Sequence, residues 1–291
     1  MTRPRDFIGP YQLARLIRVG NTCQVWEAIK DSDQQRYALK ILRPDQKGNR
    51  EEVGFMKHEV EVGQQLKHPN IIKMLEFNTS EHTPFVVMEL YDAQNLKQEL
   101  RDQTERLAYL TQEAIRQAAE ALTYMHAEGW IHCDIKPDNF LVNRTGFVKM
   151  IDFAISQRIK QGFLSRFNMF RKVRGTRSYM SPEQIRNKNL DERTDVYSFG
   201  CVVFELLAGR PPFKGDSTDD LLNRHLHAGI PSILVYNENV TSEMNDLVRR
   251  MIAKKREHRP PSMWEFLKEY RAMRVYHNPP PRPGSMMVKK D

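Results

Sequence analysis

The sequence predicts an α+β fold in which a small β-rich part precedes a larger, mainly helical one. Three observations predict it. Short apolar runs separated by polar turns fill the chain up to about residue 95, and from Leu96 onward apolar residues recur at helical spacing. A chain of 291 residues that is 40 % hydrophobic and 28 % charged can also bury a large core, which sets disorder aside as its main state.

The strand-like runs come first. YQLARLIRVG, CQVWEAI and RYALKIL, the last two close to period-two alternation, predict an antiparallel meander, and IIKMLEF and PFVVMEL read as two further strands. Between them, REEVGFMKHEVEVGQQLKH repeats Phe55, Glu59, Val62 and Leu66 at helical spacing, which puts the Glu59 carboxylate on an apolar stripe. A carboxylate in that position needs a partner. In the second part, TQEAIRQAAEALTYMHAEG gathers Ile115, Ala118, Ala119, Leu122 and Met125 on one helix face and ends at Gly129 as a C-cap. Residues 195–209, 219–228, 241–251 and 263–273 read as further helices. FLV and FVKMI form a hairpin about the turn at residues 143–146, and its second strand runs into Asp152.

Composition narrows the function classes. No apolar run approaches the roughly 18 residues that cross a bilayer, and residues 1–10 carry charges without an apolar signal segment, so a soluble protein with no membrane span is expected. Cys23, Cys133 and Cys201 lie far apart with no C-x-x-C pair, which argues against a disulfide scaffold or structural zinc and for a reducing, cytoplasmic compartment. The formal charge of +8 favours acidic partners. The final stretch HNPPPRPGSMMVKKD reads as an extended or disordered tail, a ligand for an SH3-like domain being the sharper alternative.

IHCDIKPDNFLV concentrates polar chemistry between the long helix and the hairpin, where rigid elements hold loop side chains in place. Asp134 can accept a proton, Lys136 can clamp a phosphate, and Asn139 with Asp152 offers hard oxygens suited to Mg²⁺. Taken singly, such an Asp is usually a cap and such a Lys a solvated charge. HCDIKPDN, however, resembles the H-R-D-x-x-x-x-N catalytic loop of protein kinases, and IDFA resembles their D-F-G metal motif. Other motifs follow in the family's order: RYALKIL with the nucleotide lysine Lys40, the helix glutamate Glu59, RGTRSYMSPEQ with Glu183 of the A-P-E element, DVYSFG with Asp195, and EHRPPS with Arg259.

The resemblance spans residues 11–273. It implies a bilobal protein kinase fold with a kinase domain at 11–275, divided into an N-lobe at 11–88, a hinge at 89–95 and a C-lobe at 96–275, flanked by an N-terminal extension at 1–10 and a proline-rich basic tail at 276–291. It implies ATP and Mg²⁺, with Mn²⁺ as the alternative ion, and a protein substrate. Lys40 and Glu59 would set the ATP phosphates, and Asp134 would orient the substrate hydroxyl. Lys136 would neutralise charge, and Asn139 and Asp152 would hold the metal. Gly20, Val25, Ala38, Met88 and the backbone of Glu89 and Tyr91 would enclose the nucleotide. His132, Asp195 and Arg259 would have structural roles, with Ala154, Thr176 and Glu183 in the activation segment. The D-x-K-P-x-N form and Thr176 look like the serine/threonine class, and the whole is similar to stand-alone bacterial members.

The sequence departs from the family at four places. The glycine-rich loop reads RVGNTCQV, with Arg18 and Cys23 at the outer glycine positions and only Gly20 kept, which limits close approach to phosphates. Ala154 replaces the glycine of D-F-G and is expected to cost roughly 1–2 kcal/mol wherever a left-handed conformation is required. Gly63 sits on a helix at a cost of about 1 kcal/mol relative to alanine, which points to packing rather than a hinge. Cys133 replaces the arginine that grips a phosphorylated activation loop, so the usual phosphate switch is not expected.

Residues 153–181 carry Arg158, Lys160, Arg166, Arg171, Lys172, Arg174 and Arg177 and no acidic residue. This favours acidic or phosphorylated partners, a solvated basic loop being the plainer reading. Redox sensing by Cys23 or Cys133 is set against simple packing. A pseudokinase scaffold is the alternative function, favoured by the altered loop and D-F-A and opposed by the complete set of Lys40, Glu59, Asp134, Lys136, Asn139 and Asp152. Nucleic-acid binding lacks any accompanying module. No feature of the sequence specifies an oligomeric state.

Overall fold

A computed structural model describes residues 7–46, 48–102, 105–159 and 177–283. The chain divides into two compact units, Met1–Asp92 with Ile151–Ile155, and Ala93–Met150 with Ser156–Asp291.

The described residues of the first unit form a six-stranded antiparallel sheet and one α-helix. The strands are β1 (Phe7–Ile8), β2 (Tyr11–Val19), β3 (Cys23–Lys30), β4 (Arg36–Leu42), β5 (Met74–Ser80) and β6 (Thr83–Glu89), in the spatial order β1-β2-β3-β4-β6-β5. Alternation sorts their side chains onto two faces. Tyr11, Ala28, Leu39, Ile41, Phe85 and Val87 form a buried cluster on one. Val25, Lys40 and Val86 stand in register on the other.

Helix α1 (Arg50–Gln65) begins at Asn49, whose side chain accepts from the amides of Glu51 and Glu52, with the acidic pair itself in the first turn. Its buried residues are Met56, Glu59, Val60, Val62 and Gly63. The stripe is therefore rotated from the expected one: Phe55 is only half-buried, and Leu66 is buried just beyond the helix end.

The second unit is mainly helical. It comprises α2 (Leu96–Asp102), α3 (Glu105–Ala127), α4 (Pro182–Ile185), α5 (Arg193–Ala208), α6 (Thr218–His227), α7 (Ser242–Met251) and α8 (Met263–Ala272). The face of α3 read from the sequence is buried throughout, and Gly129 beyond it takes φ +79°. Helix α5 is buried nearly all round and ends at Gly209 in the left-handed conformation, φ +70°. The hairpin forms as β9 (Phe140–Val142) and β10 (Val148–Met150), and β7 (Gln94–Asn95) adds to β9. Strands β8 (Trp130–Ile131) and β11 (Gln157–Arg158) make a separate pair.

Both flanking segments carry structure at their inner ends. Phe7 and Ile8 pair with Gln12 and Tyr11. Tyr276 is buried and bridges Val240, and Asn278 is hydrogen-bonded to Asn239. Among the described residues, no helix is long and apolar enough to cross a membrane.

Candidate functional site

In the first unit, strand register and helix periodicity converge on one charged cluster. The Lys40 ammonium lies 2.7 Å from Glu59 Oε2 and 3.5 Å from Asp152 Oδ1. Burial pulls the Lys40 pKa down, but Asp152 and Glu59 outweigh it and raise it overall, so the side chain stays a cation. Burial pushes the Glu59 carboxyl up against the pull of Lys40. The partner that the sequence position of Glu59 required is thus Lys40.

Asp152 takes φ +71°, a left-handed conformation that Asp tolerates better than most residues. Ala154 is not among the residues with positive φ, so the strain expected there falls instead on Asp152. Phe153, fully buried, packs near Gly63, where an added Cβ would lie 3.3 Å from the Phe153 ring and overlap the side chain of Met74. Close packing is the reason for this helical glycine.

Gly20 closes a tight turn in which its N–H donates to the carbonyl of Cys23 at 2.8 Å, and an added Cβ would stand 3.1 Å from that oxygen. Val25 pairs with Lys40, and Ala38 pairs with Met88 one step along. The Glu89 side chain accepts from the Lys73 amide at 2.7 Å while its own N–H donates to the Lys73 carbonyl. The sequence reading gave Glu89 a backbone role alone; the side chain also ties β6 to the lead-in of β5. Burial and then Glu89 push the Tyr91 hydroxyl up to about 12.

In the second unit, Lys136 Nζ donates to Asp134 Oδ2 at 2.5 Å, and Asn139 Nδ2 donates to the Asp134 carbonyl at 2.8 Å and lies 3.4 Å from Oδ2. Pro137 starts the short turn that sets this spacing. Because the donor end of the buried Asn139 amide is committed to Asp134, its acceptor end is the one that can meet a cation; in the first unit, Asp152 separately offers a partly exposed carboxylate. These donors fit a hard divalent ion. No cluster of three or more His, Cys, Asp or Glu with metal-binding arrangement occurs among the described residues. Asn139 and Asp152 each offer by themselves a hard oxygen donor of the kind Mg²⁺ takes alongside phosphates and water.

Asp195, fully buried at the start of α5, anchors the loop from below. It accepts from the amides of His132 at 2.7 Å and Cys133 at 2.9 Å and meets His126 Nε2 at 2.9 Å. Burial would raise its pKa, yet His126 and these bonds keep it below the usual carboxylate range. Further out, Arg259 forks onto Glu183 at 2.7 and 2.9 Å. Thr176, Lys160, Arg166, Arg171, Lys172 and Arg174 lie outside the described residues.

A family model for the protein kinase domain matches residues 11–270. The chain belongs to the protein kinase family. It is 30 % identical over 294 residues to the serine/threonine-protein kinase PknB of Mycobacterium tuberculosis, covering 99 % of this chain and 46 % of PknB. It is also 30 % identical over 251 residues to the serine/threonine-protein kinase PrkC of Bacillus subtilis, covering 86 % of this chain and 38 % of PrkC. The chain thus spans less than half the length of these relatives.

Several contacts of this kinase domain escape sequence reasoning. His126 holds Asp195 from the far end of α3, and Gln184 Nε2 donates to the Cys133 carbonyl at 2.8 Å. Glu27, buried on the Lys40 face of the sheet, takes Arg15 at 2.9 Å and also Arg36. Glu205 takes Lys97 at 2.6 Å and the Tyr179 hydroxyl at 2.5 Å. An acidic residue within an apolar run, as in CQVWEAI and CVVFELL, is the one signal that marks Glu27 and Glu205 beforehand.

Cys133 takes φ +69° with its thiol buried against the Ile131 carbonyl at 3.6 Å. Its backbone does the anchoring, and its side chain brings no cation. Burial also raises the Cys23 thiol, against the pull of Lys40. That argues for packing and against the reactive-thiol reading of Cys23.

Proposed function

We propose that this chain is a serine/threonine protein kinase that transfers the γ-phosphoryl group of ATP to a protein hydroxyl. The observation that carries the reading is the Lys40 ammonium, held as a cation between Glu59 and Asp152. Such a cation on the sheet face is suited to the ATP phosphates, with Glu59 fixing its position and Val25, Ala38 and Met88 beside it shaping the nucleotide surface. Asp134 orients the substrate hydroxyl and accepts its proton. Lys136, bonded to that carboxylate, places positive charge where the phosphoryl group carries negative charge. Mg²⁺, or Mn²⁺ in its place, would neutralise phosphate charge when bound, and Asp152 and Asn139 are the residues that would hold it. The serine/threonine assignment is supported by the D-x-K-P-x-N form and by the names of the relatives.

Cys133 supports a second element of the proposal. With no guanidinium next to Asp134, and with the loop already fixed by Asp195 and Gln184, activity does not depend on a phosphate-to-arginine grip. Protein treated with a phosphatase should retain activity; activity recovered only after phosphorylation of the activation segment would refute this element.

The test is Mg²⁺-dependent transfer of radiolabelled phosphate to the protein itself and to a generic protein acceptor. Wild type transfers, whereas Asp134→Asn and Lys40→Met fall by two orders of magnitude or more without loss of fold. Background signal from all three would return the reading to a pseudokinase scaffold.

A further inference from the structure

The glycine-rich segment has lost two of its three family glycines, and the strand register shows what stands at the first. On β2, Leu16 pairs with Trp26 and Arg18 with Val25, so Ile17 is the extra residue of a bulge. Val25 in turn pairs with Lys40, and Lys40 with Val86. Cross-strand partners project to the same face, so Arg18, Val25 and Lys40 form one row across three strands. That face is identified by Lys40 itself, whose ammonium reaches Glu59 and Asp152. The neighbours Trp26, Leu39 and Val87 go to the opposite face and pack on the apolar cluster. Arg18 and Lys40 are therefore separated by two strand spacings of about 4.8 Å, with only the short Val25 between them.

We propose that Arg18 is a second nucleotide-phosphate ligand, its guanidinium closing on the ATP phosphates from the side opposite Lys40. The inference rests on the kinase reading of this face. A glycine-rich loop binds phosphate by bringing successive backbone N–H groups close to it, and side chains at the outer glycine positions hinder that approach. A guanidinium restores the interaction by a different route, since it carries a fixed charge and a planar fork that matches phosphate oxygens. The two buried carboxylates of this face have partners of their own. Glu27 is taken by Arg15 and Arg36, and Glu59 by Lys40. Arg18 itself is solvent-exposed, so its replacement leaves the apolar core of the sheet intact.

Calorimetric titration of Mg·ATP, Mg·ADP and adenosine into wild type, Arg18→Gln, Arg18→Lys and Arg18→Glu tests this, with thermal melting to verify the fold. Arg18→Gln, which keeps most of the side-chain stem, should bind Mg·ATP about ten-fold more weakly, or about 1.4 kcal/mol, and adenosine within two-fold of wild type. Arg18→Lys should fall between wild type and Arg18→Gln, and Arg18→Glu below both. Wild-type affinity of Arg18→Gln for Mg·ATP, or an equal loss for adenosine, overturns the inference while leaving the kinase reading in place. Failure of wild type to bind any of the three ligands overturns both.

Discussion

The pair of Arg259 and Glu183 allows a stability prediction worked atom by atom. A guanidinium has five N–H donors, and Arg259 uses them all: Nε to the Ala253 carbonyl at 2.8 Å, Nη1 to Glu183 at 2.7 Å and the Arg193 carbonyl at 2.8 Å, and Nη2 to Glu183 at 2.9 Å and the Lys254 carbonyl at 3.3 Å. Both side chains are shut off from water, at 0 % and 3 % exposed. Arg259→Ala would take a donor from three carbonyls and leave a buried carboxylate whose remaining support is the Thr194 hydroxyl at 3.1 Å. Breaking a buried pair from one side costs about 3–5 kcal/mol, a large share of the roughly 5–15 kcal/mol that holds a folded protein. Urea unfolding followed by far-ultraviolet circular dichroism should therefore show a sharply lowered midpoint. Arg259→Lys should recover little, because three donors on a point charge cannot match the fork. The double variant Arg259→Leu with Glu183→Leu should be more stable than Arg259→Ala, since no buried charge is left behind. A loss below about 1 kcal/mol for Arg259→Ala would refute the reasoning, which takes burial and complete donor use as the source of the cost.

Two further predictions address packing and pH. Gly63→Ala gains about 1 kcal/mol of helix propensity, yet it should lower the unfolding midpoint, because the new methyl overlaps Met74 and such overpacking costs about 1–3 kcal/mol. The same change should cost less in a Met74→Ala background, and equal costs in both backgrounds would show that Met74 is not the obstacle. His225 is fully buried, with Nδ1 2.9 Å from the Tyr197 hydroxyl, and burial followed by Lys254 pulls its pKa down to about 4. The unfolded chain, with a pKa near 6.5, binds this proton first, so the stability present above about pH 6.5 is lost as pH falls through 4, by about 3 kcal/mol in total. Urea melts at pH 7, 5.5 and 4.5 should show this slope, and His225→Gln should flatten it.

Much of the fold is legible in the amino-acid sequence itself. Alternation in CQVWEAI and RYALKIL and the apolar spacing of α3 are local signals, and each element forms where its own pattern places it. The two-residue strands β1, β7, β8 and β11 were not legible, because a pair of residues has no period and is fixed only by the strand it meets. The same limit explains Phe55, since spacing defines a stripe on α1 but not which flank of it the sheet covers. Gly63 was legible as a packing residue, whereas its obstacle, Met74, comes from a separate strand.

The sequence by itself determined the identity and order of the chemical groups: a lysine in a strand, a glutamate on an apolar helix stripe, and Asp134, Lys136 and Asn139 in one short loop. Tertiary structure alone decided how they are paired and strained. Lys40 and Glu59 meet because α1 packs on β5 and β6, and β6 is the sheet neighbour of β4; Asp152 rather than Ala154 carries the left-handed backbone, and Arg18 joins the Lys40 face because a bulge in β2 sets its register. The reason is physical. Propensity and periodicity act over a few neighbouring residues, whereas pairing, burial and register depend on elements that lie far apart along the chain.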